Sequence, residues 1–256
     1  MTEAADSETC AERPEGGAVV EEVGCVLHPG GFALTRRAIE LCSLFPGNRV
    51  LDVGCGTGAS VDYLRRVFGL AAVGVDRSRA ALARGRGQGL NVPIGQGSGE
   101  CLPIASSSVD VVLAECSCSI MARRGEALAE FHRVLAPGGR LVVSDLYARN
   151  PVASCDFPRS ASGCLSGLMT REELALELER HGFSLTAWED HSRALKEFMI
   201  RAILEHGSFS SFWELQGGHR QEAAQVQREL KRARPGYFLL VARKTAMQRD
   251  TRRPPQ

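Results

Sequence analysis

A stretch of nine residues at positions 50–58, Val-Leu-Asp-Val-Gly-Cys-Gly-Thr-Gly, constrains the fold of this chain most strongly. Apolar residues lead into Asp52 and then into a glycine at every second position. Such a run predicts a buried parallel strand, a tight turn and a helix, here Ala59–Phe68. Glycine permits a positive φ and lets the backbone approach a ligand that a Cβ would hold off. The spacing G-x-G-x-G lacks the last glycine of the dinucleotide pattern G-x-G-x-x-G.

The rest of the chain alternates apolar runs with amphipathic segments, which predicts an α/β fold. The predicted strands are Arg49–Val53, Ala71–Val75, Val92–Ile94, Val109–Ala114, Arg140–Ser144, Phe183–Trp188 and Gly236–Val241. The predicted helices, besides the one after the glycine turn, are Ala33–Leu44, an alanine-rich segment after Ser78, Glu126–Leu135, a helix from Thr170 to about Arg180, His191–Glu205 and Glu222–Ala233. Thr170 and Glu173 form the capping-box pattern Thr-x-x-Glu.

Length and charge limit the classes of function. The 256 residues are enough for one large domain, predicted at 19–244 with a helical insertion at about 190–234. The polar segments 1–18 and 245–256 are predicted to be disordered tails. A net charge of +1 gives no reason to expect a nucleic-acid partner. No leader pattern and no apolar run of about 20 residues is present, so we expect a cytoplasmic protein without a membrane span.

The nine cysteines do not read as a disulfide or zinc framework. Their number is odd, and no two are spaced as Cys-x-x-Cys. We therefore expect no metal site. Cys116 and Cys118 are two positions apart, which predicts that both thiols lie on the same face of a strand.

Acidic residues stand where two predicted strands end. Asp76 lies 18 positions after Gly58, close to the interval of about 20 at which nucleotide-binding folds place a carboxylate for ribose hydroxyls. The alternative is a helix N-cap, and the two roles can coexist. Glu115 begins the segment 115–119, which should lie at the carboxyl edge of the sheet, where ligands bind. Its small residues could instead pack beneath a ligand.

Two segments resemble the class I S-adenosylmethionine (SAM) methyltransferases. They are Leu-Asp-Val-Gly-Cys-Gly-Thr-Gly at 51–58 and His-Arg-Val-Leu-Ala-Pro-Gly-Gly-Arg-Leu at 132–141. The resemblance implies a Rossmann-like, seven-stranded, mostly parallel sheet with helices on both faces and an antiparallel last strand between strands five and six. It also implies SAM as the cofactor and a small-molecule substrate. The implied cofactor-binding residues are Asp52, Gly54, Cys55, Gly56, Gly58, Asp76, Arg77, Ser98, Gly99, Glu100 and Glu115.

The segment 95–103 resembles the family pattern G-D-A-E-x-L-P, in which the aspartate commonly receives the adenine amino group. This chain has Ser98 at that position, and a hydroxyl accepts a weaker hydrogen bond than a carboxylate. The backbone of Gly99 and Glu100 is expected to carry part of the recognition.

The methyl acceptor is less well indicated than the cofactor. Methyl transfer needs mainly proximity and orientation, so the sequence assigns no catalytic residue. The segment 162–167 resembles the E-C-L-S-G segment of arsenite methyltransferases, which makes Cys164 a substrate candidate, with Cys116 and Cys155 as further thiols. Val61 stands where those enzymes carry another cysteine. Alternatives are methylation of a quinone-like or other biosynthetic intermediate, because the core also resembles the ubiquinone/menaquinone methyltransferases, and a SAM- or metalloid-binding protein without turnover.

Overall fold

The computed structural model describes residues 28–151, 165, 167–215 and 219–246. The strands are β1 (Arg49–Val53), β2 (Ala71–Asp76), β3 (Ile94–Gln96), β4 (Val109–Glu115), β5 (Leu135–Ala148), β6 (Phe183–Asp190) and β7 (Pro235–Lys244). The helices are α1 (Gly31–Leu41), α2 (Ala59–Phe68), α3 (Arg79–Gly87), α4 (Arg124–Val134), α5 (Arg171–Arg180), α6 (Ser192–His206), α7 (Phe209–Leu215) and α8 (Ala223–Ala233). A short 3₁₀ helix, Arg220–Glu222, precedes α8.

The strands form one sheet in the order β3-β2-β1-β4-β5-β7-β6. The first five strands are parallel, while β7 lies antiparallel between β5 and β6. The predicted fold class, including the inserted last strand, is therefore confirmed. The order of the strands reverses between the neighbours β1 and β4, and ligands of open parallel sheets bind at such a switch point.

Helices cover both faces of the sheet, and β4 shows how one strand supplies two cores. Its residues alternate: Val111 and Leu113 pack with α1 and α2, whereas Val112 and Ala114 pack with α4 and α5. Four of these side chains in a row are buried, as expected for a strand covered on both sides. The glycine turn after β1 and the end of β4 therefore belong to a part of the sheet that is packed on both faces.

Several element boundaries differ from the prediction. The first helix is Gly31–Leu41, two residues earlier than expected, because Gly30 in a left-handed conformation (φ 84°) provides its entry. The fifth strand starts at Leu135, since Leu135 already pairs with Val109 before the Pro-Gly-Gly turn. The third strand is Ile94–Gln96, and α7 was not predicted.

The capping box is confirmed at the start of α5. The Glu173 carboxylate accepts a hydrogen bond from the Thr170 amide at 2.8 Å, and the Thr170 hydroxyl accepts one from the Glu173 amide at 3.2 Å. Helices α6, α7 and α8 lie between β6 and β7, within the predicted helical insertion. In the described part of the chain, none of the helices combines the length and the apolar character needed to cross a membrane.

Candidate functional site

The turn after β1 is fixed by close backbone contacts. The amides of Gly54 and Cys55 both donate to the Val75 carbonyl, at 2.8 and 3.1 Å, which joins the turn to the end of β2. Gly54 has φ 82°, and a Cβ there would lie 2.4 Å from the Cβ of Ser117. Glycine at this position is therefore required by packing against the loop after β4, independently of any ligand.

Asp76 holds the middle of the same turn. Its Oδ2 accepts a hydrogen bond from the Gly56 amide at 2.8 Å, and its Oδ1 accepts one from the Ser78 amide at 2.7 Å. The N-cap of α3 is Ser78, whose hydroxyl accepts from the Ala81 amide at 3.2 Å. Asp76 thus aligns the glycine turn and is not itself the cap residue. Its role towards a ribose stays a prediction.

The Cys55 thiol belongs to the core. A Cβ on Gly74 of β2 would lie 2.7 Å from the Cys55 sulfur, so the side chain packs directly onto that strand. Burial, with the nearby charge of Asp52, raises the thiol pKa far above its ordinary value. Contact of Cys55 with a ligand would therefore involve its backbone.

Two carboxyl groups are buried beside the turn. Asp52 is 2 % exposed and Glu115 ends β4 with a side chain that is 5 % exposed. Glu115 accepts hydrogen bonds from the hydroxyls of Thr35 (2.9 Å) and Ser60 (3.0 Å). No hydrogen bond to the Asp52 carboxylate comes from any residue that the structure describes. Burial, together with the charges of Glu115 and Asp76, raises the pKa of Asp52 well above its ordinary value.

His28 is the basic side chain of this cluster. Its Nε2 lies 3.4 Å from Glu115 Oε2, and its Nδ1 lies 3.2 Å from the Pro29 carbonyl oxygen. Burial alone would lower the pKa of His28, but the Glu115 carboxylate raises it above 6.5. Burial likewise opposes ionisation of Glu115, yet His28 and the two hydroxyls lower the Glu115 pKa. His28 and Glu115 thus favour each other's charged form, and Asp52 lies close enough for its charge to act on His28.

The segment predicted to contact adenine follows β3. The Ser98 hydroxyl donates to the Glu100 carboxylate, and the Ser98 oxygen retains capacity to accept. Burial opposes ionisation of Glu100, but the Ser98 hydrogen bond and the charge of Arg77 lower its pKa. A Cβ on Gly99 would lie 2.8 Å from the Met121 methyl carbon, so Gly99 packs against the loop before α4. Arg77 is exposed.

The segment 115–119 at the carboxyl edge divides into two groups. Ser117 donates to the Val53 carbonyl at 2.7 Å. Ser119 donates through its amide and its hydroxyl to Asp145, both at 2.8 Å. Ser117 and Ser119 thus join neighbouring strands, which leaves Glu115 and Cys116 as the candidates for ligand contact.

The prediction that Cys116 and Cys118 share a face is wrong. The strand ends at Glu115, and Cys116 adopts a left-handed backbone (φ 49°) that redirects the chain. Cys116 then packs beside the α1–α2 core, with its sulfur 3.0 Å from the Tyr237 hydroxyl. Cys118 is buried in the opposite core, where burial raises its thiol pKa to about 12.

Comparison with known proteins identifies the family. A family profile described as a methyltransferase domain matches residues 51–143. The O-methyltransferase resE of Aspergillus sclerotiorum is 32% identical over 190 residues, which cover 67% of this chain and 69% of that protein. The chain belongs to the class I SAM-dependent methyltransferases. The strand order and the glycine turn described above agree with this membership.

Two further relatives of this chain show the range of the family. Arsenite methyltransferase of Halobacterium salinarum is 28% identical over 186 residues, covering 64% of this chain and 47% of that one. The crystal structure of the [4+2]-cyclase SpnF is 28% identical with a TM-score of 0.64, covering 84% of this chain and 81% of that chain. The chain spans about half the length of several curated relatives that it matches, namely 47%, 54% and 46% of them.

Family membership makes SAM the cofactor, and the residues present fit it. SAM carries an ammonium group, a sulfonium group and a carboxylate, which leaves one net positive charge. The cleft places the acidic side chains of Asp52, Glu115 and Asp76 around one histidine, and Asp52 receives no hydrogen bond from the described residues. The two positive groups of the ligand suit this surplus of acidic side chains.

Sequence reasoning missed the partners of Glu115. His28 was interpreted only as part of a turn, and Thr35 and Ser60 only as helix positions. A weak signal was available for Thr35, because it is a polar residue between Leu34 and Ala38 on the buried face of α1. The thiols of Cys155 and Cys164 lie outside the described residues.

Proposed function

We propose that this protein transfers a methyl group from SAM to a small-molecule acceptor. The observation that carries the proposal is the buried, under-neutralised pair of Asp52 and Glu115, set beside the glycine turn at the switch point of the sheet. The carboxylate pair gives a preorganised environment for the cationic end of the cofactor. Preorganised charges of this kind act more strongly in a buried site than in water.

The other cofactor residues follow from their places in the fold. Asp76 would accept hydrogen bonds from the ribose while its two oxygens hold the turn through Gly56 and Ser78. The segment of Ser98, Gly99 and Glu100 would border the adenine. Bound SAM supplies a methyl group on a positively charged sulfur, which is a good leaving group. The protein then contributes orientation and exclusion of water.

The proposed acceptor class is a small molecule that engages a thiol, such as a metalloid or a thiol-bound substrate. Cys116 supports this class because it directly follows Glu115 and is partly exposed at the carboxyl edge of β4. Its left-handed backbone is uncommon for a residue with a side chain, and such conformations cluster at functional sites. Cys155 and Cys164 remain predicted partners of this thiol.

Transfer of a labelled methyl group tests the proposal. Purified protein is incubated with methyl-labelled SAM and either trivalent arsenic with a thiol, a quinol, or an extract of cell metabolites. We expect labelled product with the first acceptor, and loss of at least about tenfold of that activity in Cys116→Ser, because serine lacks the soft donor. Cys101→Ser, which alters an exposed thiol, is the matched control.

The other outcomes separate the alternatives. Label in a quinol or in another metabolite would replace the thiol-engaging acceptor by a biosynthetic intermediate. SAM binding without transfer to any acceptor would favour a binding protein or another reaction. The second case has to be measured, because the structural relative SpnF is a [4+2]-cyclase.

A further inference from the structure

His28 lies beside Glu115, at the carboxyl end of β4, without being part of a helix or strand. It lies three residues before α1, is 8 % exposed, and points its Nε2 at Glu115. Its Nδ1 is held by the carbonyl of Pro29. The Nε2 atom is buried 3.4 Å from a Glu115 oxygen without a hydrogen bond to any described residue, so its main interaction with Glu115 is electrostatic and grows when the ring is protonated.

The groups around His28 come from several elements. Glu115, at the end of β4, faces the His28 ring, and the charge of Asp52 in β1 also raises the pKa of His28. Helix α6 approaches the same corner at Ala194, which lies 3.7 Å from the position of a Cβ on Gly30. The charged residues of that part of α6 are Arg193, Lys196 and Glu197, and Arg193 pairs with Glu197 on the surface. Among the described residues, the charges that raise the pKa of His28 are those of Glu115 and Asp52.

We propose that His28 is an internal counter-cation that exchanges with the cofactor: it neutralises Glu115 and Asp52 until SAM brings its own positive charges to them, and it then releases its proton to solvent. The inference rests on the proposed function, because it requires SAM in this cleft. It makes His28 a positioning residue for the cofactor, acting through the two carboxylates.

The physical reason is repulsion between like charges in a buried site. An imidazolium beside two carboxylates is stabilised, but the same imidazolium beside carboxylates already paired with an ammonium and a sulfonium is not. The bond that breaks is the N–H bond of His28, and the proton leaves to the buffer with no change in oxidation state. SAM binding is thereby linked to proton release, and its affinity rises with pH over the interval in which His28 titrates.

Three ligands separate the contributions of charge. SAM carries the ammonium, the sulfonium and a carboxylate, S-adenosylhomocysteine keeps the ammonium and the carboxylate but lacks the sulfonium, and 5′-methylthioadenosine has none of these charged groups. The lowering of the His28 titration midpoint on binding should therefore decrease in the order SAM, S-adenosylhomocysteine, 5′-methylthioadenosine. The adenosine part common to all three serves as the internal control for burial of the ligand.

Nuclear magnetic resonance of the histidine rings provides the direct test. The chain has six histidines, and the His28 signal is assigned by its loss in His28→Gln. We expect the titration midpoint of His28 to lie above its ordinary value in the free protein and to fall by about one pH unit or more with SAM, a tenfold loss of proton affinity. The midpoint should fall less with S-adenosylhomocysteine and stay unchanged with 5′-methylthioadenosine.

His191 is the matched control, since its Nε2 also faces a glutamate, Glu189, at 3.0 Å. Its ring signals should not move when any of the ligands is added at constant pH. Glu115→Gln is a second variant, in which the free-protein midpoint of His28 should already be lowered because the nearest carboxylate is gone.

If the protein binds SAM but the titration midpoint of His28 does not change, the proposed exchange is wrong while the proposed function stands. An equal fall of the midpoint with 5′-methylthioadenosine would lead to the same conclusion. Absence of SAM binding at every pH would instead overturn the proposed function together with this inference.

Discussion

Two buried carboxyl groups at the carboxyl edge of the sheet, Asp52 near the end of β1 and Asp145 in β5, differ in how their charge is satisfied. Both are 2 % exposed. Asp145 accepts three hydrogen bonds at 2.8 Å, from the amide and hydroxyl of Ser119 and from the amide of Leu146. Asp52 accepts none from the described residues, and its nearest compensation is the charge of His28.

From this difference we infer that Asp145 serves the fold, and we propose that Asp52 serves the cofactor. Buried polar groups are normally hydrogen-bonded, so the satisfied Asp145 is a structural tie between β5 and the loop after β4. A buried carboxyl group such as Asp52, which accepts no hydrogen bond from the described residues, costs stability, and such a cost is typical of a functional site. The identity and burial of the two residues are the same, so only their partners distinguish them.

The largest loss of SAM affinity is expected for Gly56→Val, a substitution in the glycine turn that follows Asp52. Gly56 has φ 55° and lies at the middle of the turn, so a branched side chain would keep the backbone away from the cofactor. We expect SAM affinity to fall by at least about 100-fold, or about 2.7 kcal/mol, in calorimetry. Gly89→Val is the control, because Gly89 also has a positive φ but no neighbour within 4 Å. Equal SAM affinity in both variants would remove the turn from the cofactor site.

Asp76→Ala tests whether that carboxylate binds the ribose as well as holding the turn. We expect a loss of about 1.5–3 kcal/mol in SAM binding, the range for hydrogen bonds to charged groups. Ser78→Ala removes the α3 cap instead and should cost about 1 kcal/mol of stability with little change in SAM affinity. If calorimetry gave the two variants the same affinity, Asp76 would be only a structural residue.

Asparagine at the two compared positions should change stability in opposite directions. In Asp145→Asn one of the three donors loses its acceptor, which should lower the free energy of unfolding by about 1–3 kcal/mol. In Asp52→Asn a buried carboxyl group without a hydrogen bond from the described residues is replaced. Burial raises the pKa of both carboxyl groups, but hydrogen bonds from Ser119 and Leu146 oppose the shift at Asp145, whereas the charges of Glu115 and Asp76 add to it at Asp52. Ionisation of Asp52 therefore destabilises the fold more as pH rises above 3.8, so Asn should add about 1 kcal/mol at pH 8. Chemical denaturation at pH 8 measures the free energy of unfolding of both variants. A loss of stability in both would contradict the distinction between a structural Asp145 and a ligand-binding Asp52.

The smallest effect concerns the His28–Glu115 pair. A raised His28 pKa gives stability that is fully present below pH 6.5 and lost as pH rises through the folded-state pKa. A lowered Glu115 pKa gives stability that is fully present above pH 4.5 and lost as pH falls through the folded-state pKa. The difference in unfolding free energy between wild type and His28→Gln should therefore be greatest between pH 4.5 and 6.5. A difference that does not vary with pH would show that His28 contributes packing only.

The sequence predicted the strands and the glycine turn because their signals are local. Apolar runs, glycine spacing and the Thr170 capping box depend on neighbours along the chain. The polar cluster could not be predicted, since His28, Thr35 and Ser60 meet Glu115 only after α1 and α2 pack onto the sheet. The face of Cys116 was mispredicted for a similar reason: its left-handed backbone depends on the loop that follows β4.

Calorimetric titration of SAM into wild type, Asp52→Asn and Asp145→Asn tests the central claim, that the buried Asp52, which accepts no hydrogen bond from the described residues, helps to recognise the positive groups of the cofactor. The account predicts that Asp52→Asn weakens SAM binding by about tenfold or more, as expected for loss of a charge-assisted contact. It predicts an affinity within about a factor of two of wild type for Asp145→Asn, since substitutions away from a site are near neutral. Equal affinities in all three proteins, or a loss confined to Asp145→Asn, would contradict it.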